Sequence, residues 1–140
     1  MKQTLFDTSK ITVHCDGGSR GNPGPAAVGV VIEYGGMKKK YCETIGYTTN
    51  NVAEYKALLK ALQLAAKHTR KEVHIFMDSE LIINQMNGVY KIKSADMLGL
   101  FQEVKDYERA FTKVVYNYVP RENKFQAMAD RLVNEALEGN

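Results

Sequence analysis

No apolar run in this 140-residue chain approaches the roughly 18 to 20 residues needed to span a bilayer, so no membrane partner is expected. The opening stretch Met1 to Phe6 lacks the long apolar segment of a secretory leader, and a cytoplasmic protein is the expectation. Internal repeats, low-complexity tracts and linkers are also missing, which predicts a single domain over residues 1–140 around one core. Cysteine is scarce. Cys15 and Cys42 are the two present, and without a C-x-x-C spacing they do not make a zinc site. A bridge between them is geometrically open, but a reducing compartment favours free thiols. Neither sign of charge dominates: 19 basic and 16 acidic residues leave a net charge of +3, which decides little alone. Local basic clusters exist at Lys38-Lys39-Lys40 and at Lys91 and Lys93, with Arg20, Arg121, Lys124 and Arg131 elsewhere. They read equally as phosphate contacts or as solvated surface. With 44% apolar and 25% charged residues, the composition is that of a globular protein rather than a disordered one.

Ile11 to Cys15 alternates in polarity and reads as a strand, with Ile11, Val13 and Cys15 on one face and Thr12, His14 and Asp16 on the other. The turn-rich segment from Gly17 to Pro25 reads as a loop. Ala26 to Tyr34 is a second strand, Gly35-Gly36 a hairpin turn, and Lys38 to Ile45 a third strand. Asn51 is positioned to cap a helix reaching about His68. Val73 to Met77 forms a short buried strand, and Ser79 opens a helix through Gln85 that Asn87-Gly88 stops. Ser94 or Asp96 caps a helix through Ala110, in which Leu98, Phe101, Val104, Lys105 and Tyr107, together with Phe111, form a packed face. Lys113 to Val119 is a fifth strand, where Tyr116 and Tyr118 are expected in sheet packing; a last helix runs from about Phe125 to Leu137. The order β-β-β-α-β-α-α-β-α predicts an α/β fold, a five-stranded mixed sheet with helices packed on it. A right-handed crossover places the fourth strand beside the first.

Four acids stand out. Asp16 ends the first strand and Asp78 the fourth, so neighbouring parallel strands would set them side by side. Glu54 begins the row Glu54, Leu58, Ala61, Ala65, which is otherwise apolar and therefore faces the sheet. A carboxylate there is costly without compensation. Asp130 flanks the core row Ala129, Leu132, Val133, Ala136 and Leu137. Taken singly, each has a dull explanation: a turn residue, a helix-dipole partner, a helix cap, a solvated helix residue. Taken together they repel, which raises their pKa values unless a hard cation is shared. Oxygen-only ligands suit Mg²⁺ or Mn²⁺, and two such ions about 4 Å apart can activate water and stabilise a leaving oxygen in phosphodiester cleavage.

At these residues the sequence resembles type 1 ribonuclease H, over nearly the whole chain from Ile11 to about Leu137. The stretches that carry it are Asp16-Gly17-Gly18-Ser19-Arg20-Gly21-Asn22-Pro23-Gly24-Pro25-Ala26, Thr49-Asn50-Asn51-Val52-Ala53-Glu54-Tyr55, Asp78-Ser79-Glu80-Leu81 and Ala129-Asp130. The resemblance implies the ribonuclease H-like fold and assigns Asp16, Glu54, Asp78 and Asp130 to catalysis and metal binding. It implies hydrolysis of the RNA strand of RNA–DNA hybrids with two ions, leaving 5′-phosphate and 3′-hydroxyl ends. It also implies that Asn22, Asn50 and Asn51 reach the minor groove, where amides can read 2′-hydroxyls. Thr49 matches a residue holding a DNA-strand phosphate, and Gly17 and Gly18 (with Gly21) would let RNA approach the backbone. Capping of the helix by Asn50 or Asn51 is the plainer alternative.

Four departures accompany the resemblance. The segment Asn87 to Ser94 is short and carries two lysines, so the basic helix and loop with which many relatives grip hybrid is missing. The loop before the last acid, Pro120 to Gln126, has no histidine; Arg121, Glu122 and Lys124 are candidates to replace it, and His14 reads as a packed strand residue. Gln126 stands where compact relatives read asparagine, in a loop about two residues longer, and Glu80 stands where some relatives place glutamine. Two rivals remain: a binding module that keeps the fold without cutting, and a nuclease for another substrate, foremost double-stranded RNA. A monomer is expected.

Overall fold

The structure, a computed structural model, describes residues 10–139; the Met1 to Phe6 stretch considered above lies outside them. The strands are β1 (Lys10–Ser19), β2 (Gly24–Tyr34), β3 (Met37–Thr48), β4 (Glu72–Met77) and β5 (Lys113–Tyr118). The helices are α1 (Asn50–Ala66), α2 (Glu80–Met86), α3 (Ala95–Glu108) and α4 (Lys124–Glu138). They follow the predicted order and form one mixed sheet, β3-β2-β1-β4-β5. The β1–β2–β3 meander is antiparallel, whereas β4 pairs parallel to β1 and β5 parallel to β4.

Helices cover both faces of the sheet. On one side α1 buries Leu58, Ala61, Leu62 and Ala65 against Ile11, Val13, Cys15, Val28 and Ile75, and α3 packs outside α1. On the other, α4 lays Ala129, Leu132, Val133 and Ala136 over Ala27 and Val31. This alternation is the two-face pattern read from β1. His14 belongs to the second face: it stacks on Phe76 with ring centroids 4.7 Å apart and meets Phe125 of α4 at 5.5 Å. Burial lowers its pKa to about 4, which keeps the ring neutral. It is a packing residue, as read. Among the described residues no helix is long and apolar enough to cross a membrane, and Cys15 and Cys42 are free thiols.

Several boundaries differ from expectation for local reasons. The segment from Gly17 is not all loop: Gly17, Gly18 and Ser19 continue β1, pairing with Val28, Ala27 and Ala26, so the turn shrinks to residues 20–23. α1 is capped by Thr49, whose hydroxyl accepts from the Val52 amide at 3.3 Å; Asn51 lies inside the helix instead. Ser94 rather than Asp96 caps α3, and Asn123 caps α4. The α3 face is narrower than predicted. Met97 and Val104 are buried, whereas Leu98 is exposed and Tyr107 lies at the surface edge of the contact, its hydroxyl accepting from Gln63 of α1 at 3.0 Å. Tyr116 is buried, but Tyr118 at the end of β5 is exposed.

Gly29 on β2 marks the closest approach of α4 to the sheet: a Cβ there would lie 2.4 Å from the Ala129 carbonyl oxygen. Gly29→Ala is therefore expected to destabilise the fold by about 3 kcal/mol, the upper range for overpacking, because backbone rather than a side chain must yield. Urea denaturation checks this, and an unchanged midpoint would contradict the packing.

Candidate metal centre

The parallel ladder of β1 and β4 pairs His14 with Phe76. Two residues further on come Asp16, still within β1, and Asp78, the first residue after β4, level with each other by extension of that register. Asp16 does not end its strand as its sequence suggests, because β1 goes on pairing with β2 as far as Ser19. Glu54 reaches them from the first turns of α1, on the core-facing row. One carboxylate oxygen each from Asp16, Glu54 and Asp78 lies within 4.8 Å of the others. Asp130, from α4, lies outside that triple but lines the same cavity of about 310 Å³ and stands near enough to Asp16 to raise its pKa. Thus three predicted acids converge fully, and the fourth stands at the rim.

The electrostatics match a site built for cations. Asp16 is pushed up to about 8, first by burial and then by the charges of Asp78, Glu54 and Asp130. Glu54 is raised to about 7 by burial and by Asp78, against the opposing pull of the Ser79 hydroxyl and Arg121. Burial and the same three acids Asp16, Glu54 and Asp78 raise the Cys15 thiol well above its ordinary value. Without a cation, such acids hold protons that they would otherwise release near pH 4. Hard oxygen donors grouped this closely fit a divalent ion, and Asp16, Glu54 and Asp78 can each supply one ligand atom.

The polar residues around the acids lock the strand ends to the helices. The Asn50 side chain accepts from the Ser19 amide at 3.2 Å and donates to Glu54 Oε2 at 3.2 Å. Asn22 Oδ1 accepts from the Asn50 amide at 3.0 Å. Thr49, Asn50 and Asn22 therefore have structural work besides any contact with a ligand. Asn22 and Thr49 are exposed and Asn50 and Asn51 half-buried; of the four, Asn50 lines the cavity, and Asn22 is tied to it through the Asn50 amide. Gly17 differs from the expectation of open backbone. It is buried, and a Cβ there would lie 2.1 Å from the Ala53 carbonyl oxygen, so its bareness lets α1 bring Glu54 to the strand end. Gly18 faces more room, with the Asn50 side chain 3.6 Å from the same construction. Gly17→Ala is expected to lower stability by about 3 kcal/mol and to displace Glu54; a variant with wild-type melting and metal affinity would contradict this.

None of the three histidines reaches the cavity: His14 is packed, His68 stacks on Tyr34, and His74 pairs with Glu72. Arg121 does reach it. Its Nε donates to Asp78 Oδ2 at 3.3 Å, from a side chain 70% exposed. Arg20, also at the rim, pairs with Glu138 at 3.0 Å. Gln126, seen in the sequence only as a departure from relatives, is wholly buried beside the acids.

Comparison with known proteins agrees with this architecture. A family profile described as reverse transcriptase-like matches residues 14–136. RNase H1 from the halophilic archaeon Halobacterium salinarum superposes with a TM-score of 0.87 at 35% identity, over 94% of this chain and 99% of that one. The N-terminal RNase H domain of Rv2228c from Mycobacterium tuberculosis gives 0.87 at 38% identity, over 94% and 95% of the two chains. LC11-RNase H1, a compost metagenome protein solved with an RNA/DNA hybrid, gives 0.83 at 43% identity, over 92% and 97%. The fold and its acids define a ribonuclease H-like class of protein. The chain belongs to the type 1 ribonuclease H family. It spans only part of some curated relatives: 36% of the bifunctional protein Rv2228c and 65% of the Halobacterium ribonuclease HI.

Proposed function

We propose that this chain hydrolyses the RNA strand of RNA–DNA hybrids, leaving 5′-phosphate and 3′-hydroxyl ends. The observation that carries the reading is the meeting of Asp16, Glu54 and Asp78 oxygens within 4.8 Å at the mouth of an open, polar cavity. Two ions, Mg²⁺ or Mn²⁺, would supply an activated water and charge neutralisation at the leaving oxygen. Asp16, Glu54 and Asp78 would hold one ion, and Asp130 with Asp16 would help to hold the second. Asn22, Asn50 and Asn51 present amides along the rim for 2′-hydroxyls, Thr49 stands by for a DNA-strand phosphate, and Gly18 leaves space for the RNA backbone. The same reading takes this chain as one ribonuclease H-like domain, cytoplasmic and monomeric.

The test is a strand-labelled cleavage assay on RNA–DNA hybrid, double-stranded RNA and duplex DNA, with Mg²⁺ and with Mn²⁺. Cutting confined to the RNA strand of the hybrid is expected. Equal or faster cutting of double-stranded RNA would replace the substrate, and binding without cutting would leave a binding module. Because the segment Asn87 to Ser94 is short, grip on hybrid depends on few phosphate contacts spread over the rim. KM for hybrid is expected to rise at least about tenfold between roughly 50 and 200 mM salt; a flat KM would contradict this.

A further inference from the structure

The metal centre is held from below by a residue that none of the acid motifs includes. Gln126 sits in the first turn of α4 and is 0% exposed. Its Nε2 donates to the Cys15 carbonyl oxygen at 2.8 Å and approaches Asp78 Oδ1 at 3.4 Å. The Cys15 carbonyl can only accept, so it settles the orientation of the amide. The parallel pairing of β1 and β4 ends at His14 and Phe76, one residue before Cys15. Gln126 thus joins the two strands beyond the point where their backbones pair, from a helix on the sheet's second face.

The amide is costly where it lies. Its Oε1 is buried with no hydrogen-bond partner among the described residues. A methionine or leucine would fill the same volume without that penalty. The backbone at this position is equally constrained, because Asn123 Oδ1 accepts from the Gln126 amide at 3.1 Å. Asp78 is then gripped on both oxygens, Oδ1 by Gln126 and Oδ2 by Arg121; the first grip is half-buried and the second exposed.

We propose that Gln126 is a positioning residue of the metal centre, tying the Cys15 carbonyl to the Asp78 carboxylate and so fixing the direction in which Asp78 faces Asp16. It acts through Asp78 and touches no reacting atom. The inference rests on the proposed reading of the acids as cation ligands, but its metal-binding arm does not require that hybrid be the substrate.

The experiment compares the wild-type chain with Gln126→Met, which keeps volume and removes the donor, and with Gln126→Asn, which keeps an amide but shortens its reach. Mn²⁺ affinity is read by electron paramagnetic resonance without nucleic acid. Hybrid cleavage is read as kcat and KM against Mg²⁺, and folding by thermal melting. Gln126→Met is expected to weaken Mn²⁺ binding about tenfold and to lower kcat about tenfold or more, with KM for hybrid within about twofold of wild type. Gln126→Asn is expected to fall between the two. If Gln126→Met melts lower yet binds Mn²⁺ and turns over as wild type does, the amide is only a core contact and the proposal is overturned. Should Gln126→Met fail to fold, Gln126→Asn decides by the same readouts, with wild-type affinity overturning the proposal. A wild-type chain that binds Mn²⁺ but leaves hybrid intact would end the substrate reading alone, with Gln126 then judged by its metal affinity.

Discussion

Asp78→Asn is expected to lower the rate of hybrid cleavage by at least about 10³-fold, or roughly 4 kcal/mol of barrier, while leaving the fold intact. An amide of the same shape keeps the hydrogen-bonding bulk but removes the charge that a cation needs. The Asp78 carboxylate is one of three whose oxygens come within 4.8 Å, so its loss opens the ligand set at its centre. The fold should tolerate the change well. The exposed pair with Arg121 contributes little stability, and removing one of several crowded negative charges relieves Asp16 and Glu54. Asp16→Asn should go further and raise the metal-free melting temperature, since its carboxylate carries the heaviest burden of burial and repulsion. Single-turnover cleavage and thermal melting check both variants. Near-normal turnover by Asp78→Asn would remove that residue from the site.

The second large effect concerns metal and pH together. With EDTA the enzyme is expected to be inert, and Mg²⁺ or Mn²⁺ should restore it. The folded-state pKa values of Asp16 and Glu54, about 8 and about 7, lie above those of an unfolded chain near 4. The folded, metal-free protein therefore binds protons more tightly than the unfolded chain. That contribution to stability is complete below about pH 4 and is lost as pH climbs through about 7 to 8. Metal-free protein should melt lower at pH 8.5 than at pH 5.5, with a difference of about 1.4 kcal/mol or more attributable to these acids. Asp16→Asn should shrink the difference, and Mg²⁺ should cancel it. Cation binding must displace the same protons, so Mg²⁺ affinity should rise from pH 6 to pH 8 and then level off. An affinity independent of pH across that range would show that the acids are already ionised or do not bind the ion.

Much of this site was legible before any coordinates. The level placement of Asp16 and Asp78 followed from two strand ends and the right-handed crossover, and the register of His14 with Phe76 bears it out. Glu54 followed from its place on an otherwise apolar row, all four members of which are buried. What escaped was whatever depends on distance between elements rather than on periodicity. Gly17 and Gly29 read as turn or strand residues, although their missing side chains are what allow α1 and α4 to approach the sheet. Thr49 takes the cap that Asn51 was expected to hold, because the helix starts just after β3 ends, two residues earlier than polarity alone suggests. Gln126 showed only as a deviation from relatives. Its reach to Cys15 and Asp78 spans more than a hundred residues of sequence to β1, and no local pattern encodes it.

The most direct measurement is the anomalous scattering of Mn²⁺ in a crystal of this protein with a non-hydrolysable hybrid. The account requires two peaks about 4 Å apart in the cavity, one contacting oxygens of Asp16, Glu54 and Asp78 and the other within reach of Asp16 and Asp130. Manganese bound elsewhere, with those carboxylates ligating nothing in an enzyme that still cuts, would contradict it.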